Sequence, residues 1–275
     1  MHELLLFGQV HPNYRDQVLK VLAGLSAMQP QAIAERHVIF KPTRTPSNTV
    51  SIGAKQGVQS SQSQITKAQQ GDLFYIQLVE IVNMDRIGRT PSQNVDVSNG
   101  DHIMVGTERT ANGDYEKQSS LPQDTSKPSW SIEFRDLPEV PGRTPVTSRL
   151  MGSTPIKDGD AVKFVEALGY AYASEYVVHG HQFLHNNIVL LLHRPLVLPL
   201  STTKTSIRQL PPLASLKPID PSNTYILQAS VRVQDGSNPE SMTMGMNELK
   251  AFKEAMKGVV DMEVGDRLAL DARFR

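Results

Sequence analysis

The sequence predicts a mainly β, α+β fold: one closed antiparallel β-barrel domain spanning residues 1–275, with three short flanking helices and long polar loops. Two patterns predict it. Apolar and polar residues alternate at Trp130, Ile132 and Phe134 and again at Tyr225, Leu227, Ala229, Val231 and Val233, the two-residue period of a strand with unlike faces. Eight to ten such segments occur without the strict strand–helix alternation that a parallel sheet needs. Closure follows because an open antiparallel sheet of this size leaves two long unpaired edges.

Taken in order, Leu4 to Phe7 reads as the first strand. Val18, Leu22, Leu25 and Met28 then recur at helical spacing behind a candidate cap, Asn13. Arg36 to Lys41 is β-branched and aromatic, stops at Pro42, and is expected to pair with the first strand. The Ser, Gln, Thr and Gly-rich stretch 43–71 buries too little apolar surface to offset ordering and is expected to be a mobile insertion. Leu73 to Val82 is a strand, and 86–128 is a second mobile insertion holding at most a short strand at Ile103 to Val105.

Trp130 to Phe134 and Thr147 to Ser153 are further strands. Asp160 caps a helix whose Val162, Val165 and Leu168 share a face, with Gly169 at its end. Tyr170 to Phe183 and Ile188 to Leu198 form a hairpin across His185, Asn186 and Asn187, with Gly180 a candidate bulge. After the proline-rich 199–221 comes the strand around Tyr225 to Gln234, then a helix marked by Leu249, Phe252 and Met256 that serves as a lid, closed by Gly258. Asp266 to Arg275 is an edge strand or a tail.

Composition narrows function. The 28 basic and 28 acidic residues cancel, which removes the charge surplus behind non-specific binding to nucleic acid or membranes. The absence of cysteine excludes thiol chemistry, disulfides and cysteine zinc sites and fits a cytosolic or nuclear protein. The opening apolar run is too short for a signal peptide, and no apolar stretch is long enough to span a bilayer as a helix. Gly-x-Ser-x-Gly, Gly-Lys-Ser/Thr, Gly-x-Gly-x-x-Gly and His-Glu-x-x-His are all missing.

Three constellations remain. Glu175, His179, His181 and His185 share one face of an unbroken strand, with His193 across the hairpin, a ligand set suited to zinc or iron in a metal-dependent enzyme on the 170–198 hairpin. Solvated hairpin histidines are the commoner outcome. Tyr170, Tyr172 and Tyr176 form an amphipathic stripe on the opposite face, fit equally for partner binding or for a core with satisfied hydroxyls. The acidic pairs Asp158/Asp160 and Asp261/Glu263 sit at a helix start and a turn, where structural roles dominate.

Three scattered segments together resemble the subunit 18 family of the Mediator complex in its filamentous-fungal form. They are His2-Glu3-Leu4-Leu5-Leu6-Phe7-Gly8-Gln9-Val10 with Val21-Leu22-Ala23-Gly24; Arg36-His37-Val38-Ile39-Phe40-Lys41-Pro42; and Gly169-Tyr170 through Glu175-Tyr176-Val177 to Gly180 and Phe183. The resemblance implies a nuclear, non-catalytic coactivator subunit of the Mediator head module that links activators to RNA polymerase II. It implies a heterodimer with Mediator subunit 20 and a helix received from the C-terminal part of subunit 8, with no cofactor, small-molecule substrate or direct nucleic acid contact. The family's barrel also resembles the triphosphate tunnel, whose Glu-x-Glu-x-Lys strands hold metal. This chain lacks that motif, and Glu80, Glu133 and Glu175 each stand without a second carboxylate two residues away. The expectation is therefore a binding wall with no reactive cleft rather than a triphosphatase-like barrel.

Overall fold

Alternation produces the barrel directly. The computed structural model describes residues 1–43, 73–82, 129–140, 145–198 and 210–274. Its elements are β1 (His2–Val10), α1 (Arg15–Ser26), β2 (Gln31–Pro42), β3 (Leu73–Phe74), β4 (Ile76–Ile81), β5 (Trp130–Arg135) and β6 (Thr147–Ile156), followed by α2 (Ala161–Ala167) and β7 (Tyr170–His185). Then come β8 (Ile188–Val197), β9 (Lys217–Pro218), β10 (Tyr225–Val233), α3 (Pro239–Ala255) and β11 (Arg273–Phe274). Eight strands run β1-β6-β5-β4-β2-β7-β8-β10 and close where β10 returns to β1, every pairing antiparallel. β9 hangs from β8, and β11 pairs separately with β3.

The apolar faces point outward. Leu4, Leu6, Leu190, Leu192 and Leu227 form the largest core with Val18 and Leu22 of α1 and Leu249 and Phe252 of α3. A second core joins Val38, Phe40 and Leu78 to Ala161 and Val165 of α2, and a third joins Val177 and Leu196 to Leu216. The helices therefore clothe the wall, and the C-terminal helix covers its side rather than acting as a lid over its mouth. The cavity is bordered instead by residues 257–272, a strap stitched to β1 by reciprocal Phe7 and Glu263 backbone bonds of 2.8 and 2.7 Å. The Gly265 amide donates to Thr147 Oγ1 at 2.8 Å, and Arg267 Nε donates to the Pro138 carbonyl at 2.7 Å.

Local expectations meet mixed outcomes. Asp160 caps α2 by accepting from the Val162 and Lys163 amides, Gly169 takes φ 87°, and Asn186 turns the hairpin at φ 54°. On α2 the buried pair is Ala161 and Val165, while Leu168 is exposed at the C-cap because the helix lasts only seven residues. Asn13 is not the cap of α1: it sits in the short 3-10 turn Pro12–Tyr14, where its amide donates to His11 Nδ1, and Tyr14 precedes the helix. α1 ends at Ala27 with φ 51°, so Met28 lies beyond it.

β2 does not pair with β1; it pairs with β4 and β7. A connection carrying a helix leaves the next strand free to enter the ring elsewhere, and α1 packs on β7. Nor does Gly180 bulge. Register runs unbroken through it, and a Cβ there would approach Leu192 O to 2.2 Å, so glycine permits the close approach of β8 at this point. The irregularity falls at Ala173, where Ile39 pairs with Ser174 but Phe40 with Tyr172. Apart from Thr43, the insertions 43–71 and 86–128, with Ile103 to Val105, lie outside the described residues.

Candidate functional site

If apolar side chains face out, their alternates face in. Glu3 on β1, Glu35 and His37 on β2, Glu133 and Arg135 on β5 and His193 on β8 line a cavity of about 1360 Å³ within the barrel. The expectation of a wall without a cleft is corrected here: carboxylates and imidazoles do surround an internal space. Their arrangement is pairwise. Arg149 donates to Glu3 Oε2 through Nη2 at 2.6 Å and Nε at 2.8 Å, and Arg135 Nη2 meets Glu133 Oε2 at 2.7 Å. Such pairs cancel the charge they bring in and oppose removal of either partner.

His37 bridges two groups, with Nδ1 3.0 Å from Gln77 Oε1 and Nε2 3.3 Å from Glu35 Oε2, and its ring stacks on Tyr176 at 4.9 Å and 5°. The His37 hydrogen bond holds the Glu35 carboxyl below its ordinary range despite burial. Burial depresses Arg149, whereas for Arg135 the attraction of Glu133 and Glu3 outweighs burial and raises it. Burial also raises the Tyr176 phenol. His193 differs: it is 9% exposed, neither ring nitrogen has a hydrogen-bond partner among the described residues, and burial lowers its pKa from 6.5 to about 4 against the pull of Glu35. The imidazole is neutral near pH 7.

The hairpin residues do not converge. Glu175 faces outward, where Arg36 Nη2 holds it at 2.6 Å with Glu80 nearby. His179 and His181 lie on the same outer face as Glu175, lowered by burial, with the cations Arg194 and Arg15 respectively adding to the effect. His185 rests near Phe252 with ring centroids 6.4 Å apart, while His193 points into the lumen. Among the described residues no group of three histidines or carboxylates has metal-holding geometry.

The tyrosine stripe is also divided. The irregularity at Ala173 turns Tyr172 outward, edge-on to Phe40, and leaves Tyr170 half-buried on the second core, but Tyr176 belongs to the lumen. Asp160 serves as the α2 cap, and Asp261 and Glu263 sit on the strap at the cavity border. Sequence reasoning missed Glu3, Glu35, His37, Arg135 and Arg149. Their signal was their place as the polar alternates of apolar strands, which reads as solvent-facing until closure is known.

The family pattern described as Med18 protein matches residues 2–273. "Mediator of RNA polymerase II transcription subunit 18" from Aspergillus fumigatus is 41% identical over 279 residues, covering 100% of both chains. The protein so described from Coccidioides immitis is 38% identical over 279 residues, again covering 100% of both. Among solved structures, a chain of the Schizosaccharomyces pombe Mediator head module matches with a TM-score of 0.61 and 17% identity, covering 96% of this chain and 99% of that one.

Proposed function

The chain belongs to the Med18 protein family, and from that premise we propose that it is a non-catalytic subunit of the Mediator head module, contributing to transcription by holding neighbouring subunits. The observation that carries the reading is full-length similarity to curated subunits 18. The shared barrel with a head-module chain supports it at the level of fold. Paired lumen ions serve structure in this reading. The metal-enzyme alternative loses its geometry, because Glu175 is engaged by Arg36 and His193 faces away from His179 and His181.

The same reading gives the chain a nuclear location and two protein partners, Mediator subunit 20 and the C-terminal helix of subunit 8. Tyr172 is the exposed member of the tyrosine stripe and the one suited to partner contact; Tyr170 offers only a half-buried edge. Co-expression with subunits 20 and 8 of the same species tests this. The expected outcome is co-elution as one stoichiometric complex that melts above the isolated chain, weakened by Tyr172→Asp. Separate elution with an unchanged melting temperature would defeat the reading.

A further inference from the structure

We propose that the barrel lumen binds a small, extended aliphatic polyamine. The inference goes beyond the subunit reading and does not rest on it. A cavity of about 1360 Å³ exceeds the roughly 300–1,000 Å³ typical of small-molecule sites, so an extended chain with accompanying water fits. Its lining carries six carboxylates against two guanidinium groups and no lysine, counted among the described residues. Arg135 neutralises Glu133, Arg149 reaches in from outside the lining to neutralise Glu3, and Arg232, the second lining guanidinium, offsets one carboxylate more, which leaves the carboxylates in excess. Glu35 is hydrogen-bonded by His37 and feels Arg135 at longer range, and the solvent-exposed Asp261, Glu263 and Asp266 at the cavity border form no ion pair among the described residues. The remaining potential favours cations and disfavours phosphates.

His193 is the independent sign of a ligand. It is more than nine-tenths buried, aimed into the cavity, and lacks a partner on both ring nitrogens among the described residues, whereas buried polar atoms are nearly always satisfied. A neutral imidazole keeps one lone pair, which accepts a hydrogen bond from an ammonium. Ile33, Val178, Leu191 and Ile226 supply apolar wall beside it for the methylene segments between amines. A metal ion lacks the three-donor geometry it needs among the described residues.

Spermidine titrated into the full chain at low ionic strength tests the idea, followed by calorimetry, melting temperature and the ring resonances of His193. Saturable one-to-one binding is expected, with a rise in melting temperature and a shift of the His193 signals. Glu35→Gln and His193→Phe should each weaken binding about tenfold or more, the loss of one charge-assisted hydrogen bond. Asp261→Asn, on the exposed strap, gives a smaller loss in the same direction without disturbing the core. Stabilisation by tripolyphosphate instead, a spermidine effect reproduced by sodium chloride of equal ionic strength, or undiminished affinity in Glu35→Gln would overturn the proposal. Repeating the titration on the complex with subunits 20 and 8 separates the two readings, since binding to the isolated chain stands whether or not those partners associate.

Discussion

An imidazole without hydrogen bonds, withdrawn from solvent, resists protonation, and the cost falls on the folded state. His193 titrates at about 4 when folded and near 6.5 when unfolded, so between these values the unfolded chain binds more protons. Its contribution to stability is intact above pH 6.5 and is lost as pH falls toward 4, a total of about 3 kcal/mol at 1.36 kcal/mol per pH unit. Denaturation curves of wild type and His193→Leu between pH 7 and 5 should show wild type losing stability more steeply. Equal slopes would contradict it. The lowered Glu35 acts in the same direction only further down, as pH falls through its folded pKa, below the ordinary 4.5. Little of this was readable beforehand. His193 was visible as a hairpin histidine, but its inward direction depends on unbroken register through Gly180, where a glycine inside the strand suggested a bulge.

Among the elements, the strap shows most clearly how a backbone position governs its neighbour. Gly8 on β1 lies so close to residues 260–262 that a Cβ would stand 2.5 Å from Val260 Cγ1 and 3.1 Å from the Asp261 carbonyl. Gly8→Ala therefore forces the strap outward, at a cost of roughly 1–3 kcal/mol for overpacking. Hydrogen exchange should quicken at residues 259–265 while β7 and β8 keep their protection. Unchanged exchange at the strap would show that the contact relaxes freely. Strand and helix positions were largely legible, because alternation, Asp160 and the Asn186 turn act through neighbouring residues. The strap and the β2 pairings were not, since both arise between residues far apart in sequence.

For the molecule as a whole, eight strands share one closed hydrogen-bonded ring, and α1 and α3 pack on a single contiguous core. We expect the barrel to melt in one cooperative transition, with far-UV and near-UV circular dichroism coinciding and calorimetric and van't Hoff enthalpies agreeing. Two resolved transitions would mean that the ring opens in parts. Closure itself was foreseeable from the need to hide strand edges, but which face turned inward was not. Alternation reads identically with either face inside, and only the helices, by covering Leu4, Leu190 and Leu227, decide it.

The junction of β8 with β10 has a mechanical consequence. A sheet with a loose end can be unzipped bond by bond from that end, whereas a hoop offers no starting point. Tension applied between opposite sides of this protein is shared by whole rows of bonds at once.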